Sequence, residues 1–176
     1  LNYFHPYWNH DRYFHIHLSL QSGSDDILKK MNRNYNISQF ENIVEKIRAV
    51  LPLASITTDV IVWFPSETEA DFQKSYNFCQ KINFAKIHVF PFSPRKWTTA
   101  FSFSEQIDKI QKKNRSKQLR ELSTFLEKNF LKINKKIPQQ ILIEKKDRYW
   151  SYGYSSNYVY FCLKKDLSIG QIYEKF

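Results

Sequence analysis

Glycine is nearly missing from this chain: 3 occur among 176 residues, where ordinary usage of about 7% would give roughly a dozen. Tight turns must therefore be made largely by other residue types. Cysteine is as scarce. Cys79 and Cys162 lie far apart and in no Cys-x-x-Cys pair, which excludes a disulfide framework and a local metal signature and predicts two buried apolar residues. No run of about 20 apolar residues occurs, and the first twelve residues lack an apolar core of signal-peptide length, so a cytoplasmic protein without a membrane partner is expected. The chain starts without methionine just upstream of a strand and reads as a fragment. What is plentiful is positive charge. Lys and Arg number 27 against 17 Asp and Glu, a net charge of +10, with lysine concentrated over residues 109–136. That density fits an anionic partner, or else a solvated lysine-rich helix.

Hydrophobic periodicity divides the chain into two textures. Residues 15–20 are strand-like and end in the polar turn Gln21-Ser22-Gly23-Ser24. A short helical piece over 27–33 precedes a helix from Ser38, where Ser38 and Glu41 form a capping box and Phe40, Ile43, Val44, Ile47 and Val50 follow at helical spacing. Residues 56–63 are almost continuously β-branched, as in a strand buried on both faces. Thr68 and Asp71 cap a further helix carrying Phe72, Tyr76 and Cys79, and residues 86–92 form a third strand. Alternating strands and helices with short connections predict right-handed crossovers and a parallel sheet, with ligands at the carboxyl ends of the strands, here 21–24, 64–67 and 90–95.

A long basic helix is expected over 104–135, interrupted near Asn114, with Leu119, Leu122, Leu126, Phe130 and Ile133 as its apolar stripe. From Pro138 onward short alternating segments over 140–144, 149–154, 158–163 and 169–173 predict a small β-barrel. The reading is an α/β domain over 1–137 and a β domain over 138–176.

Three segments then carry a resemblance. They are His17-Leu18-Ser19-Leu20-Gln21-Ser22-Gly23-Ser24-Asp25 with Met31-Asn32-Arg33, Thr58-Asp59-Val60-Ile61-Val62 with Phe64-Pro65 and Glu67-Thr68-Glu69, and His88-Val89-Phe90-Pro91-Phe92-Ser93-Pro94-Arg95. In order and spacing they resemble the radical S-adenosylmethionine methylthiotransferases, which act on transfer RNA or on a ribosomal protein. Gly153-Tyr154-Ser155-Ser156-Asn157-Tyr158 is similar to the signature of TRAM, the small RNA-binding barrel that ends those enzymes. The resemblance implies the carboxyl-terminal half of a partial (βα) barrel followed by a TRAM-like barrel, whole or truncated. The third-strand segment is similar to the branch acting on threonylcarbamoyladenosine beside the anticodon. The isopentenyladenosine branch is the alternative, and a non-catalytic RNA-binding remnant is a third.

The reaction of that family replaces an unactivated C–H bond at adenine carbon 2, which calls for a radical. The resemblance implies S-adenosylmethionine, two [4Fe-4S] clusters held by cysteine thiolates and an electron donor to reduce them. The cluster cysteines would lie upstream of Leu1, and the chain alone is expected to be inactive. What it would retain is part of the S-adenosylmethionine cradle. Gln21, Ser22 and Ser24 would offer amide and hydroxyl groups, Gly23 clearance, Asp59 an anchor for polar ligand atoms or an internal partner for Arg33, and Val89 with Phe90 the adenine seat. Arg95 and Lys96 would face RNA, as would Lys112, Lys113, Arg115 and Lys117 on the helix and Tyr154 and Tyr158 on the barrel.

Two tryptophans depart from the family pattern. Trp63 and Trp97 stand where glycines belong, and Ser66 replaces a third. With glycine so rare, one explanation is that UGA codons read as glycine in the source were rendered as tryptophan. UGG at all four tryptophan positions would end that idea.

Overall fold

The computed structural model describes residues 14–96, 98–102 and 109–175. They form two compact units: 17–45 with 56–96, 98–102 and 109–130, and 14–16 with 46–55 and 131–175.

Most of a three-stranded sheet lies in the first unit, in the order β1-β2-β3, from β1 His15–His17, β2 Ser55–Val62 and β3 Lys86–Pro91. The central and third strands are parallel, with Asp59 opposite His88 and Ile61 opposite Phe90. β1 is shorter than its apolar run. Thr58 Oγ1 donates to the Leu18 carbonyl at 2.6 Å and accepts from the Leu20 N–H at 3.0 Å, so a side chain replaces ladder bonds before pairing resumes between Gln21 and Val60.

Four helices accompany the sheet: α1 Asp25–Lys30, α2 Ile37–Val50, α3 Glu69–Ile82 and α4 Lys109–Asn134. The capping box of α3 forms as the sequence predicts, with Thr68 and Asp71 exchanging bonds. That of α2 sits two residues earlier than expected. Asn36 Oδ1 accepts from the Gln39 N–H and Gln39 Oε1 from the Asn36 N–H, leaving Ser38 inside the helix. The same residue pattern occurs at both offsets, and Asn36 is the better cap.

α4 runs unbroken through Asn114. Residues 103–108, where its start was expected, lie outside the described residues. Leu119, Leu122 and Leu126 are buried, while Phe130 is only half-buried and Ile133 is exposed. Halfway along α4, Ser123 accepts from the Ile87 N–H at 2.9 Å and donates to the Ile87 carbonyl at 3.0 Å. A serine thereby satisfies the outer edge of β3, which would otherwise present unpaired backbone.

The β2 strand is buried on both faces only over its first half. Ser55, Ile56, Thr57 and Thr58 are all buried, and beyond them Val60 and Val62 are sealed while Asp59 and Ile61 remain partly exposed. Successive side chains alternate between faces, so one face is covered throughout and the other opens toward the carboxyl end.

In the second unit a four-stranded antiparallel sheet has the order β6-β5-β4-β7, with β4 Gln139–Lys146, β5 Ser151–Ser155, β6 Tyr160–Leu163 and β7 Ile172–Lys175. The four strands correspond to the four expected segments. Among the described residues β6 and β7 are not paired, so an antiparallel sheet is what is seen. Asn157, in the turn after β5, donates to Asn134 Oδ1 at 2.6 Å and accepts from Ser155 Oγ at 2.6 Å. Those bonds bury a polar side chain without penalty and fix the turn that carries Tyr158 at φ 64°.

The two cysteines differ from each other. Cys79 is fully buried in α3, which pushes its thiol up to about 12, whereas Cys162 is exposed on β6, against expectation.

Candidate functional site

The open face of the parallel sheet carries a polar row across all three strands. His17 on β1 places Nδ1 3.0 Å from Thr57 Oγ1 and Nε2 3.2 Å from Asp59 Oδ2 on β2. Ser19 Oγ donates to the same carboxylate oxygen at 3.3 Å. His88 on β3 stands opposite Asp59, its ring centroid 6.0 Å from that of His17. Asp59 thus has an internal partner, but it is His17 and not Arg33. One step nearer the carboxyl ends, Ile61 and half-exposed Phe90 form an apolar row.

The turn at 21–24 is arranged differently from the cradle inferred from sequence. Ser22 Oγ lies 3.3 Å from Ser75 Oγ, and Ser24 Oγ donates to Asp71 Oδ1 at 2.7 Å. Both serines are fully buried, so their hydroxyls hold the loop to α3 instead of facing a ligand. Gly23 gives clearance to a helix: a Cβ there would sit 2.5 Å from Ser75 Cα. Burial by itself would raise the Asp71 pKa. The hydrogen bonds from Thr68 and Ser24, with Lys74 nearby, outweigh it and hold the carboxyl below the usual aspartate value. Sequence reasoning missed Ser75, whose one signal is a small polar residue on an otherwise aromatic helix face.

Gln21 remains available. Its backbone is locked at φ 67° by its N–H to the Asp59 carbonyl and by the Ile61 N–H to its own carbonyl, and its side-chain amide has no partner among the described residues. Val89 lies with its side chain toward the covered face, which leaves its backbone for any adenine contact.

At the carboxyl end of β2 sits a second cluster. Trp63 adopts φ 68° and Ser66 φ 67°, left-handed conformations that favour the glycine expected at each. The indole is buried. Its backbone N–H donates to Glu67 Oε2 at 2.8 Å, and the Arg115 guanidinium stacks 3.9 Å from its ring centre. Trp97 lies outside the described residues.

Replacing Trp63 by glycine tests which residue this backbone is built for. Relief of the left-handed conformation is worth about 1–2 kcal/mol, against about 3–5 kcal/mol for deleting a buried aromatic. A net loss of roughly 2 kcal/mol in urea unfolding is expected; a gain in stability would identify glycine as the native fit.

Arg115 was expected on an RNA-facing surface and is instead internal. It is 8% exposed, donates from Nη1 to Glu67 Oε2 at 2.9 Å and from Nε to Glu69 Oε2 at 3.0 Å. Two carboxylates and an aromatic face leave no free donor edge for phosphate. Lys117 is exposed, with Glu121 3.9 Å away; Lys112 and Lys113 lie on α4. Arg95 and Lys96 are exposed just beyond β3.

In the second unit the outer face of the antiparallel sheet is aromatic. Tyr154 stacks with Tyr158 at 4.9 Å and lies 5.0 Å from Tyr160, which in turn stacks with Tyr152 at 6.3 Å. His15 stacks with Tyr158 at 4.9 Å. Tyr158 is 63% exposed. Tyr154 and Tyr158 were named from sequence, whereas Tyr152 and Tyr160 join them through the pairing of β5 with β6, and His15 through its stack on Tyr158.

Among the described residues no cluster of three His, Cys, Asp or Glu is placed to hold a metal ion. With one cysteine sealed in α3 and the other on β6, these residues do not fit an iron–sulfur cluster, and no chemical step is assigned to one. The open sheet face does fit an adenosyl ligand, through its apolar row and the free amide of Gln21.

A family model described as the radical SAM superfamily matches residues 8–79. Among named relatives, the threonylcarbamoyladenosine tRNA methylthiotransferase MtaB of Bacillus subtilis is 36% identical over 150 residues, covering 82% of this chain and 33% of that protein. The enzyme of the same name from Thermotoga maritima is 48% identical over 107 residues, 61% of this chain and 25% of its own. The chain belongs to the radical S-adenosylmethionine methylthiotransferases. A second methylthiotransferase type is also similar: the tRNA-2-methylthio-N(6)-dimethylallyladenosine synthase of Corynebacterium diphtheriae is 45% identical over 104 residues, 59% of this chain and 20% of that protein. The chain spans between a fifth and a third of these relatives. No described helix is long and apolar enough to cross a membrane.

Proposed function

We propose that this chain is part of a transfer-RNA methylthiotransferase that adds a methylthio group to carbon 2 of threonylcarbamoyladenosine beside the anticodon. The observation that carries this reading is the likeness to the Bacillus subtilis threonylcarbamoyladenosine enzyme over 82% of the chain. Dimethylallyladenosine is the second reading, favoured by the 45% identity to the Corynebacterium synthase over a shorter stretch.

In this reading S-adenosylmethionine, when bound, supplies the radical precursor and the methyl group. The chain's own residues position it: the Gln21 amide donates or accepts at its polar edge, the backbone at Val89 and Phe90 meets the adenine, and Ile61 with Phe90 excludes water from one side. Arg95 and Lys96, exposed beside the same strand ends, approach phosphate. The antiparallel sheet acts as the TRAM-like element, offering Tyr154 and Tyr158 to unpaired bases.

RNA binding tests this division of labour. Phosphate contacts release counterions, so each lysine engaged contributes about 0.7 to 0.9 to the slope of log affinity against log salt. Replacing Lys112, Lys113 and Lys117 by alanine should weaken binding of an anticodon hairpin and flatten that slope. Replacing Tyr154 and Tyr158 by alanine should cost roughly 1–3 kcal/mol per stacked base with the slope kept. Unchanged affinity and slope in the lysine variant would reduce α4 to a solvated face.

A further inference from the structure

The tip of the β4–β5 hairpin spends its polar bonds on holding two aromatic side chains out in solvent. The Asp147 N–H donates to the Trp150 carbonyl at 2.9 Å, and Asp147 Oδ1 accepts from the N–H groups of Tyr149 and Trp150 at 2.8 and 2.9 Å. The Tyr152 hydroxyl donates to the other carboxylate oxygen, Oδ2, at 2.6 Å. The turn is closed from every side. On it Tyr149 is 63% exposed and Trp150 37%, and the Arg148 guanidinium lies 5.5 Å from the Tyr149 ring centre. Rings held in place before a flat partner arrives lose little freedom when it covers them.

Charge at the tip favours an anion. Lys146 is met by Asp166 at 3.0 Å and Lys165 by the Tyr173 hydroxyl at 2.5 Å, whereas Lys145, Arg148 and Lys164 have no carboxylate partner among the described residues. Ser151 Oγ donates to the Lys165 carbonyl at 2.7 Å and accepts from the Leu167 N–H at 3.1 Å, which ties the loop bearing Lys164 beside the hairpin. Of the nearby carboxylates, Asp147 is enclosed by its hydrogen bonds and Asp166 by Lys146, so only Glu144 stands against those three cations. The tip also continues the tyrosine face, because Tyr152 both bonds Asp147 and stacks with Tyr160 at 6.3 Å. From Trp150 to Tyr154 is four residues, about 14 Å of extended strand.

Resting on the RNA reading above, we infer that this tip is a second RNA contact, in which Tyr149 and Trp150 stack on unpaired bases while Lys145, Arg148 and Lys164 meet the flanking phosphates. A base inside a duplex has both faces covered by its neighbours. Only an unpaired nucleotide can offer a face to a protein ring, and every base offers one regardless of sequence. The tip therefore adds reach along a single strand and no base preference of its own.

The test measures affinities of the full chain for an anticodon hairpin and for a fully paired RNA duplex of the same length, each over a range of salt. Replacing Tyr149 and Trp150 together by alanine should weaken hairpin binding about fivefold or more for each base stacked, with the salt slope kept and the duplex unaffected. Trp150→Phe, which keeps a ring, should retain most of the affinity. Replacing Lys145, Arg148 and Lys164 by alanine should weaken both ligands and make the hairpin slope shallower by about 2, at about 0.7 for each contact to a single strand. With fluorotryptophan in place of tryptophan, the fluorine resonance that Trp150→Phe removes should shift on adding the hairpin and not the duplex. Unchanged hairpin affinity in a folded Tyr149/Trp150 double-alanine variant, with the Tyr154/Tyr158 variant still weakened, would overturn this inference and leave the RNA reading standing. Equal losses on hairpin and duplex would confine the contact to phosphate and overturn the stacking role. A wild type that binds neither RNA would overturn both the inference and the reading beneath it.

Discussion

Arg115→Ala should destabilise the protein by about 3–5 kcal/mol at neutral pH, the usual cost of removing one partner from a buried ion pair. Arg115 closes a cluster in which Glu67 is 4% exposed, with Oε2 accepting from Arg115 and from the Trp63 N–H. Its other oxygen, Oε1, is buried without a partner among the described residues. Burial already pushes the Glu67 pKa up, and the hydrogen bonds from Trp63 and Arg115 offset this only in part. Without the guanidinium the carboxylate would be buried and nearly alone, and the indole would lose its stacked cover.

The pH dependence follows in sign. A carboxyl whose folded pKa lies above its unfolded value binds more protons folded, so its penalty is absent below the unfolded pKa and grows as pH rises toward the folded one. The Arg115→Ala deficit should therefore shrink on acidification from pH 7 to 5, measured by urea unfolding. A deficit that stays flat would place the loss in packing alone. Arg115→Met, which restores some volume without charge, should separate the two contributions. The outcome also bears on RNA binding, because any loss of affinity in an Arg115 variant must be read against its stability.

The parallel order of β1, β2 and β3 and the Thr68–Asp71 cap were legible because each rests on local periodicity or on residue chemistry at fixed spacing. The functions of single polar side chains were less so. Ser22 and Ser24 would look the same in sequence whether they met a ligand or α3, and only Ser75 and Asp71, brought alongside by the fold, decide it. Arg115 sits in a lysine-rich helix, where charge counting sees one more cation. Its distinguishing partners, Glu67 and Glu69, lie in the turn after β2 and at the start of α3. The row of His17, Asp59 and His88 depends on register between strands separated by whole helices, a quantity that side-chain pattern does not encode. Trp63 was the reverse case: the departure was visible in sequence, and its positive φ shows what the backbone asks for at that point.

Gly153→Ala is expected to be as damaging to the antiparallel sheet as Arg115→Ala is to the parallel one, for a steric reason. A Cβ at this position would lie 1.9 Å from the Leu142 carbonyl oxygen and 2.8 Å from its carbon. Those are backbone atoms of β4, next to the register shift between Ile143 and Lys145, so no side-chain rotation can make room. Nor can β5 move outward as an edge strand, because β6 is paired on its other side through Gly153 and Phe161. Accommodation requires opening the β4–β5 ladder, and a cost at or above about 3 kcal/mol, the upper end for overpacking, is expected. Gly170 supplies the control. Its Cβ would meet open space, and only its φ of 85° opposes a side chain, so Gly170→Ala should cost about 1–2 kcal/mol. Tyr152 and Tyr154 flank Gly153 in the sequence, so opening the ladder should also disperse the stacked tyrosines and weaken hairpin binding. Amide exchange should locate the loosening in β4 and β5 before it reaches β2 and β3. An alanine tolerated within about 0.5 kcal/mol, with hairpin affinity intact, would mean that β4 and β5 do not approach this closely at Gly153.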